Sequence, residues 1–136
     1  LLLAMALLIA SGCASTPTKQ TAAATQDRLE RKWGIRIEKL HLTAAGHMID
    51  FRYRVLDPDK ATPLFDRNTK PYLLDEASGK AMTVPTTAKA GPLRTTNAPQ
   101  KDRVYWMLFS NPGLIEPGSR VTVAIGDFRA EHLTVQ

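Results

Sequence analysis

Residues 47–56 read His-Met-Ile-Asp-Phe-Arg-Tyr-Arg-Val-Leu, and this stretch decides the fold. Between residues 49 and 55 its large apolar and its charged side chains alternate without a break. A period of two places every apolar side chain on one face of a β-strand and every charged one on the other. The stretch therefore predicts a strand with one buried and one solvated face, as is typical of an antiparallel sheet.

The preceding segment, residues 35–42, supplies the partner strand. It reads Ile-Arg-Ile-Glu-Lys-Leu-His-Leu, and a turn across Ala44-Ala45 would set Leu40 opposite Ile49 and Leu42 opposite His47. An unbroken register would then bury Glu38 against an apolar neighbour, which costs several kcal/mol. A β-bulge at residues 38–39 removes this conflict. We expect an antiparallel hairpin with a bulge at that position.

Five further strand patterns follow, separated by turn sequences rich in glycine and proline. They cover residues 72–74, 81–84, 103–110, 121–125 and 128–135. Seven strands with no long helix between them predict an all-β domain over residues 27–136, an antiparallel β-sandwich of immunoglobulin-like type. The Cys…Trp…Cys signature of true immunoglobulin domains is missing, so the prediction concerns architecture alone. Residues 103–110 are apolar at both odd and even positions, which predicts a central strand covered on both faces.

A short helix is expected before the first strand. Leu29 and Trp33 lie four residues apart, on one face of a helix over residues 27–33, and Gly34 provides its end. Residues 14–26 are small and polar and carry no large apolar side chain, so we expect a flexible tether there.

The N-terminus has the pattern of a targeting signal. Residues 1–10 are apolar and uncharged, and they are too few to cross a bilayer, which takes about 20. Such a run followed by small residues is typical of a signal peptide. Ala10-Ser11-Gly12-Cys13 resembles the lipobox of bacterial lipoproteins, a likeness that covers a tenth of the chain. Because the chain begins with Leu1 and no basic residue precedes the apolar run, we expect further residues upstream.

The lipobox resemblance implies that residues 1–12 are removed, that the Cys13 sulfur carries a diacylglycerol, and that the new amino group is acylated. These chains would attach the protein to a membrane, since two or more lipid chains give stable anchoring. Ala14 follows the cysteine in place of the Asp that resembles an inner-membrane retention signal. The expected location is therefore the outer membrane of a Gram-negative cell envelope, facing the periplasm.

Charge indicates a class of partner. The chain has 18 Lys and Arg against 13 Asp and Glu, a formal net charge of +5. In the envelope this favours an anionic component or an envelope protein over nucleic acid. The sixteen residues 86–101 include three basic side chains and no acid, and structureless loops of that length are seldom without a role. The predicted partner-binding loop comprises Lys89, Arg94, Lys101 and Arg103.

No catalytic motif supports an enzyme. The chain has neither the Gly-x-Ser-x-Gly of a strained nucleophile turn nor the His-Glu-x-x-His or paired cysteines of a metal site. We therefore expect a non-enzymatic binding or structural protein without a cofactor. The alternative is copper binding: the predicted hairpin sets His41 opposite Met48, and an imidazole with a thioether suits Cu(I). Two ligands do not complete a site, so no metal-binding residues are assigned.

Overall fold

Antiparallel sheets and an N-terminal helix make up the part of the chain that the computed structural model describes, which is the backbone of residues 17–136 and the side chains from residue 21. The lipobox and Cys13 lie outside the described residues. The helices and strands are α1 (Pro17–Trp33), β1 (Ile35–Thr43), β2 (Met48–Val55), α2 (Pro58–Ala61), β3 (Tyr72–Asp75), β4 (Ala81–Thr83), β5 (Thr86–Thr87), β6 (Gly91–Pro92), β7 (Val104–Ser110), β8 (Arg120–Ile125) and β9 (Phe128–Thr134).

Two larger sheets contain all seven predicted strands. One has the order β1-β2-β7 and the other the order β4-β3-β8-β9, while β5 and β6 form a small separate hairpin inside the predicted 86–101 loop. Every pairing is antiparallel. The prediction of a mostly β, antiparallel domain with a short N-terminal helix is confirmed.

The β1–β2 hairpin has the predicted bulge, and its register is shifted by two residues. The bulge lies between Ile37 and Lys39. Leu40 is opposite Phe51 and Leu42 is opposite Ile49, so the predicted pairs were wrong. The reason is the turn, which takes the four residues 44–47, two of them alanines at φ 52° and 55°. A shift of two residues keeps every side chain on its predicted face.

The prediction that residues 103–110 form a central strand was wrong. Strand β7 is the outer strand of its sheet, and Val104 and Trp106 are 38% and 41% exposed on its outer face. The side chains on its other face are buried, namely Tyr105, Met107 and Phe109. Apolar residues on both faces of β7 therefore did not mean that both faces are buried.

One hydrophobic core cluster contains buried side chains of both larger sheets. The first contributes aromatic side chains such as Phe51, Tyr53 and Phe109, and the second contributes Leu73, Phe128 and its valines. Each such burial stabilises the fold by about 1.5–3 kcal/mol. Along one side the C-terminal residue joins the sheets, because the Gln136 amide donates to the Leu40 carbonyl oxygen at 2.9 Å and its own carbonyl accepts from the Leu42 amide at 3.3 Å.

Helix α1 is longer than predicted. It begins at Pro17, so residues 17–26, which we expected to belong to a flexible tether, are helical. Alanine is the best helix former, and residues 22–24 are three alanines. Tertiary contacts also hold this segment: Thr25 is buried, and the Gln26 side-chain oxygen accepts from the Ile37 amide at the bulge. The predicted contact of Leu29 and Trp33 with the domain is confirmed, since Leu29 is buried and the Trp33 ring meets Phe128 at 5.6 Å.

Gly34 ends the helix, as predicted, at a close approach of two backbones. Its φ is +62°, and its carbonyl oxygen accepts hydrogen bonds from the amides of Leu56 and Asp57. A Cβ at this position would lie 2.7 Å from the Asp57 Cβ and 2.8 Å from its carbonyl oxygen. Both the dihedral angle and the space therefore require glycine.

We expect Gly34→Ala to lower the free energy of unfolding much more than Gly79→Ala. Both glycines have a positive φ, for which alanine costs about 1–2 kcal/mol, but nothing lies within 4 Å of the added Cβ at Gly79. The clash at Gly34 should add about 1–3 kcal/mol. Urea unfolding of the two variants measures the difference, and equal losses would contradict the close approach.

Candidate functional site

A groove of about 970 Å³ opens beside β4 in the described part of the chain. This volume is at the upper end of the range of about 300–1,000 Å³ that is usual for ligand pockets. Its lining residues form two groups, which we call its walls: the first belongs to β4 and the β5–β6 hairpin, and the second comprises residues 67 and 69–71 with Arg94 and Thr96. A smaller cleft, of about 290 Å³, lies between α1, β1 and the C-terminal end of β9.

The groove exists because two segments that begin as a pair separate. Residues 85–87 pair with residues 91–93, and the Leu93 amide donates to the Pro85 carbonyl oxygen at 3.0 Å. Continued pairing would place Thr95 beside Thr83. The Thr95 amide instead donates to the Trp106 carbonyl oxygen on β7 at 3.0 Å. The chain after Leu93 therefore joins β7 and leaves β4 at the edge of the opening.

Arg94 forms hydrogen bonds that hold the segment before β3, which contributes the second wall of the groove. Its guanidinium donates to the carbonyl oxygens of Leu64 and Thr69 at 2.9 Å and of Asp66 at 3.3 Å. Only 8% of the residue is exposed, and burial lowers the pKa of Arg94 from its usual value. Arg94 is therefore not an exposed residue of the predicted partner-binding loop, because its Nη1 and Nη2 atoms donate inward to backbone carbonyls and the residue is buried.

We expect Arg94→Met to lower the free energy of unfolding by about 2–4 kcal/mol, since hydrogen bonds to a charged group contribute about 1.5–3 kcal/mol and three carbonyl groups would lose their donor. Arg94→Lys should recover only part of this loss, because an ammonium group lacks the planar fork of donors. The exposed Arg103 provides the control, and denaturant unfolding compares the variants. A loss no greater than that of Arg103→Met would contradict the anchoring role.

The groove is cationic. Arg67 and Lys70 line it, both are exposed, and within residues 21–136 neither forms an ion pair. No Asp or Glu is among the lining residues of this groove. Tyr72 also lines it, and the Arg129 guanidinium donates to the Tyr72 oxygen at 2.7 Å. The remaining polar groups of the lining are hydroxyls of threonine, at positions 69, 83, 86 and 96.

The other predicted partner-binding residues lie outside the groove. Lys89 is exposed in the turn between β5 and β6, and Lys101 and Arg103 are exposed just before β7. Arg67 and Lys70 were not predicted, because they stand in a segment that shows no hydrophobic period. The one signal for them was a pair of basic residues three positions apart, shortly before the β3 pattern.

His41 does not meet Met48. The register sets it opposite Asp50, with 3.9 Å between its Nε2 atom and the carboxylate, so the pair proposed for copper was wrong. Among the described residues no group of three or more His, Cys, Asp and Glu side chains has the arrangement of a metal site.

Glu76 forms the most extensive carboxylate network outside the groove. It accepts hydrogen bonds from the Thr122 hydroxyl at 2.9 Å and from the His132 amide at 2.8 Å, and its carboxylate lies 3.2 Å from the His132 ring. His132 has a φ of 58°, next to the irregular register of β8 and β9. Burial alone would raise the pKa of Glu76, but these hydrogen bonds outweigh it and hold the pKa below its usual value. The network stabilises the β8–β9 pairing.

Glu76→Gln should lower the free energy of unfolding by about 1 kcal/mol at pH 7, through loss of charge-assisted hydrogen bonds. Because the pKa is depressed in the folded state, the carboxylate's contribution is present above the unfolded pKa of about 4.3 and is lost as the pH falls through the folded value. Unfolding curves from pH 3 to pH 7 should therefore converge for wild type and variant at the acid end. Glu116→Gln, at an exposed residue, is the control, and a difference that does not depend on pH would contradict the assignment.

Comparisons with known proteins add no identification: no family model, no curated protein and no solved structure matches the chain. Within residues 17–136, no helix has both the length and the hydropathy needed to cross a membrane.

Proposed function

We propose that the protein is a lipid-anchored, non-enzymatic binding protein of the bacterial cell envelope, and that the groove beside β4 binds an anionic partner. The observation that carries the proposal is the pair Arg67 and Lys70, which face the groove without a carboxylate among its lining residues. An anion entering the groove would meet two charges that have no internal ion partner to displace. The net charge of +5 attracts such a partner from a distance.

The lipobox supports the location. Acylation of Cys13 would hold the protein at a membrane, and the outer membrane facing the periplasm is the location that Ala14 favours. Since α1 begins at Pro17, three residues separate Cys13 from the helix, and the four steps from Cys13 to Pro17 span at most about 14 Å. The start of α1 would therefore stay close to the lipid headgroups, and the partner would be an envelope component within reach of that surface.

The finer architecture that we propose is an immunoglobulin-like β-sandwich. A four-stranded and a three-stranded antiparallel sheet support it, as does their order. In immunoglobulin constant domains the orders are A-B-E-D and C-F-G. The orders β9-β8-β3-β4 and β7-β2-β1 have the same neighbours when the chain is followed from its C-terminus. The likeness is therefore one of strand arrangement with reversed chain direction.

A retention experiment with acylated protein and envelope extract tests the proposed function. We expect Arg67→Gln with Lys70→Gln to weaken retention of the partner about tenfold, which corresponds to about 1.4 kcal/mol for the two charges together. Added salt should weaken the wild-type complex as well, because exposed charges are screened. The matched control is Lys89→Gln with Lys101→Gln, which removes two exposed charges outside the groove.

Two outcomes would contradict the proposal. Loss of the partner in the control variant but not in the groove variant would place binding on the exposed Lys89 and Lys101, outside the groove. Hydrolysis of envelope material by the purified protein, abolished by one polar substitution, would show an enzyme.

A further inference from the structure

We infer that the groove takes an extended acidic peptide, which adds as a strand to the outer edge of β4. The inference rests on the proposed function and names its partner class.

Strand β4 is an edge with unused backbone groups. It pairs only with β3, and the Asp75 amide donates to the Lys80 carbonyl oxygen at 2.9 Å. In an antiparallel pair the residues that exchange hydrogen bonds alternate with residues whose N–H and C=O groups point away. Counted from the Asp75–Lys80 bond, the outward residues of β4 are Ala81 and Thr83. These two residues also line the groove.

The other outer strands of the two larger sheets are covered within the described chain. Strand β1 pairs with the C-terminal residue, and α1 packs against both β1 and β9. Strand β7 exchanges backbone hydrogen bonds with Leu93 and Thr95. Proteins usually protect edge strands, because an unpaired edge is a template for another strand. Strand β4 lies near β7, but among the described residues no backbone group pairs with its outer edge.

The sequence around β4 limits pairing to a few residues. Ala81, Met82 and Thr83 carry neither charge nor proline, whereas Lys80 precedes them and Pro85, which lacks an N–H, follows. An added strand would therefore contact residues 81–84, a length of about 13 Å at about 3.3 Å per residue. This is the size of a four-residue peptide segment, and main-chain pairing of this kind is a recurrent mode of peptide recognition.

The charges of the groove select an acidic segment. Arg67 and Lys70 line the same groove as Ala81 and Thr83, so acidic side chains of a strand that enters the groove would meet these two cations. Tyr72 adds a neutral donor: since its oxygen accepts from Arg129, its own proton remains for a carboxylate of the peptide. Backbone pairing would supply affinity, and the cations would supply the preference for Glu or Asp.

The test uses the full acylated chain in detergent micelles and a blocked peptide of the sequence Thr-Glu-Thr-Glu-Thr-Glu. We expect binding to raise the hydrogen-exchange protection of the Ala81 and Thr83 amides at least tenfold. Two further forms of the peptide carry methyl groups on alternate backbone nitrogens, one form on the odd positions and the other on the even positions. The form whose methyl groups replace the N–H groups that pair with β4 should bind at least tenfold more weakly. Arg67→Gln with Lys70→Gln should weaken binding by a similar factor, and Lys89→Gln should leave it unchanged. Because the methyl groups are on the peptide, the result does not depend on a variant of β4 that folds.

Three results would overturn the inference. Equal binding of the peptide and both methylated forms, with affinity still dependent on Arg67 and Lys70, would leave an anion-binding groove without strand addition. Binding of an acidic polysaccharide such as polygalacturonate, in place of any peptide, would make the partner a glycan. If no probe binds and the groove variant still retains its envelope partner, the proposed function fails with the inference.

Discussion

The groove depends on the hydrogen bonds of one buried guanidinium. Arg94 binds carbonyl oxygens of residues that precede it by 25 to 30 positions, and these belong to the segment that leads to Arg67 and Lys70. A buried cation without partners would cost far more than the fold can sustain, so the carbonyl groups and the guanidinium must stay together. The consequence is a wall that is already in place before any ligand arrives. Such preorganisation reduces the entropic cost of binding.

The separation of two strand segments gives this wall its opposite side. After Leu93 the chain turns to β7, because backbone groups there accept and donate in register with Thr95 and Leu93. Strand β4 keeps only one neighbour. The groove is therefore lined both by cationic residues of the segment that Arg94 anchors and by a strand with an unpaired backbone edge. Together they distinguish it from the smaller cleft beside α1, which contains both Glu38 and Lys39.

The domain is held together without a disulfide, since the chain contains one cysteine. Its stability comes from the apolar core that the two larger sheets share. Polar side chains add to it by accepting hydrogen bonds from backbone amides where the strand pairing is irregular. Gln26 accepts a hydrogen bond from a backbone amide at the bulge of β1, and Glu76 accepts one at the irregular pairing of β8 and β9. These contacts matter because an unpaired buried amide costs free energy comparable to a lost hydrogen bond.

Sequence patterns alone were enough to predict the buried apolar face of the β1–β2 hairpin, the place of the bulge in β1 and the end of α1. These follow from local rules: a period of two, the cost of burying Glu38, and the positive φ at Gly34. Tertiary structure alone decided the register of the first hairpin, the outer position of β7 and the burial of Arg94. A period of two does not identify the neighbouring strand, and the partners of a guanidinium lie far away in the chain. The candidate site falls in this second class, because its cations and its strand edge come together only when the sheets have assembled.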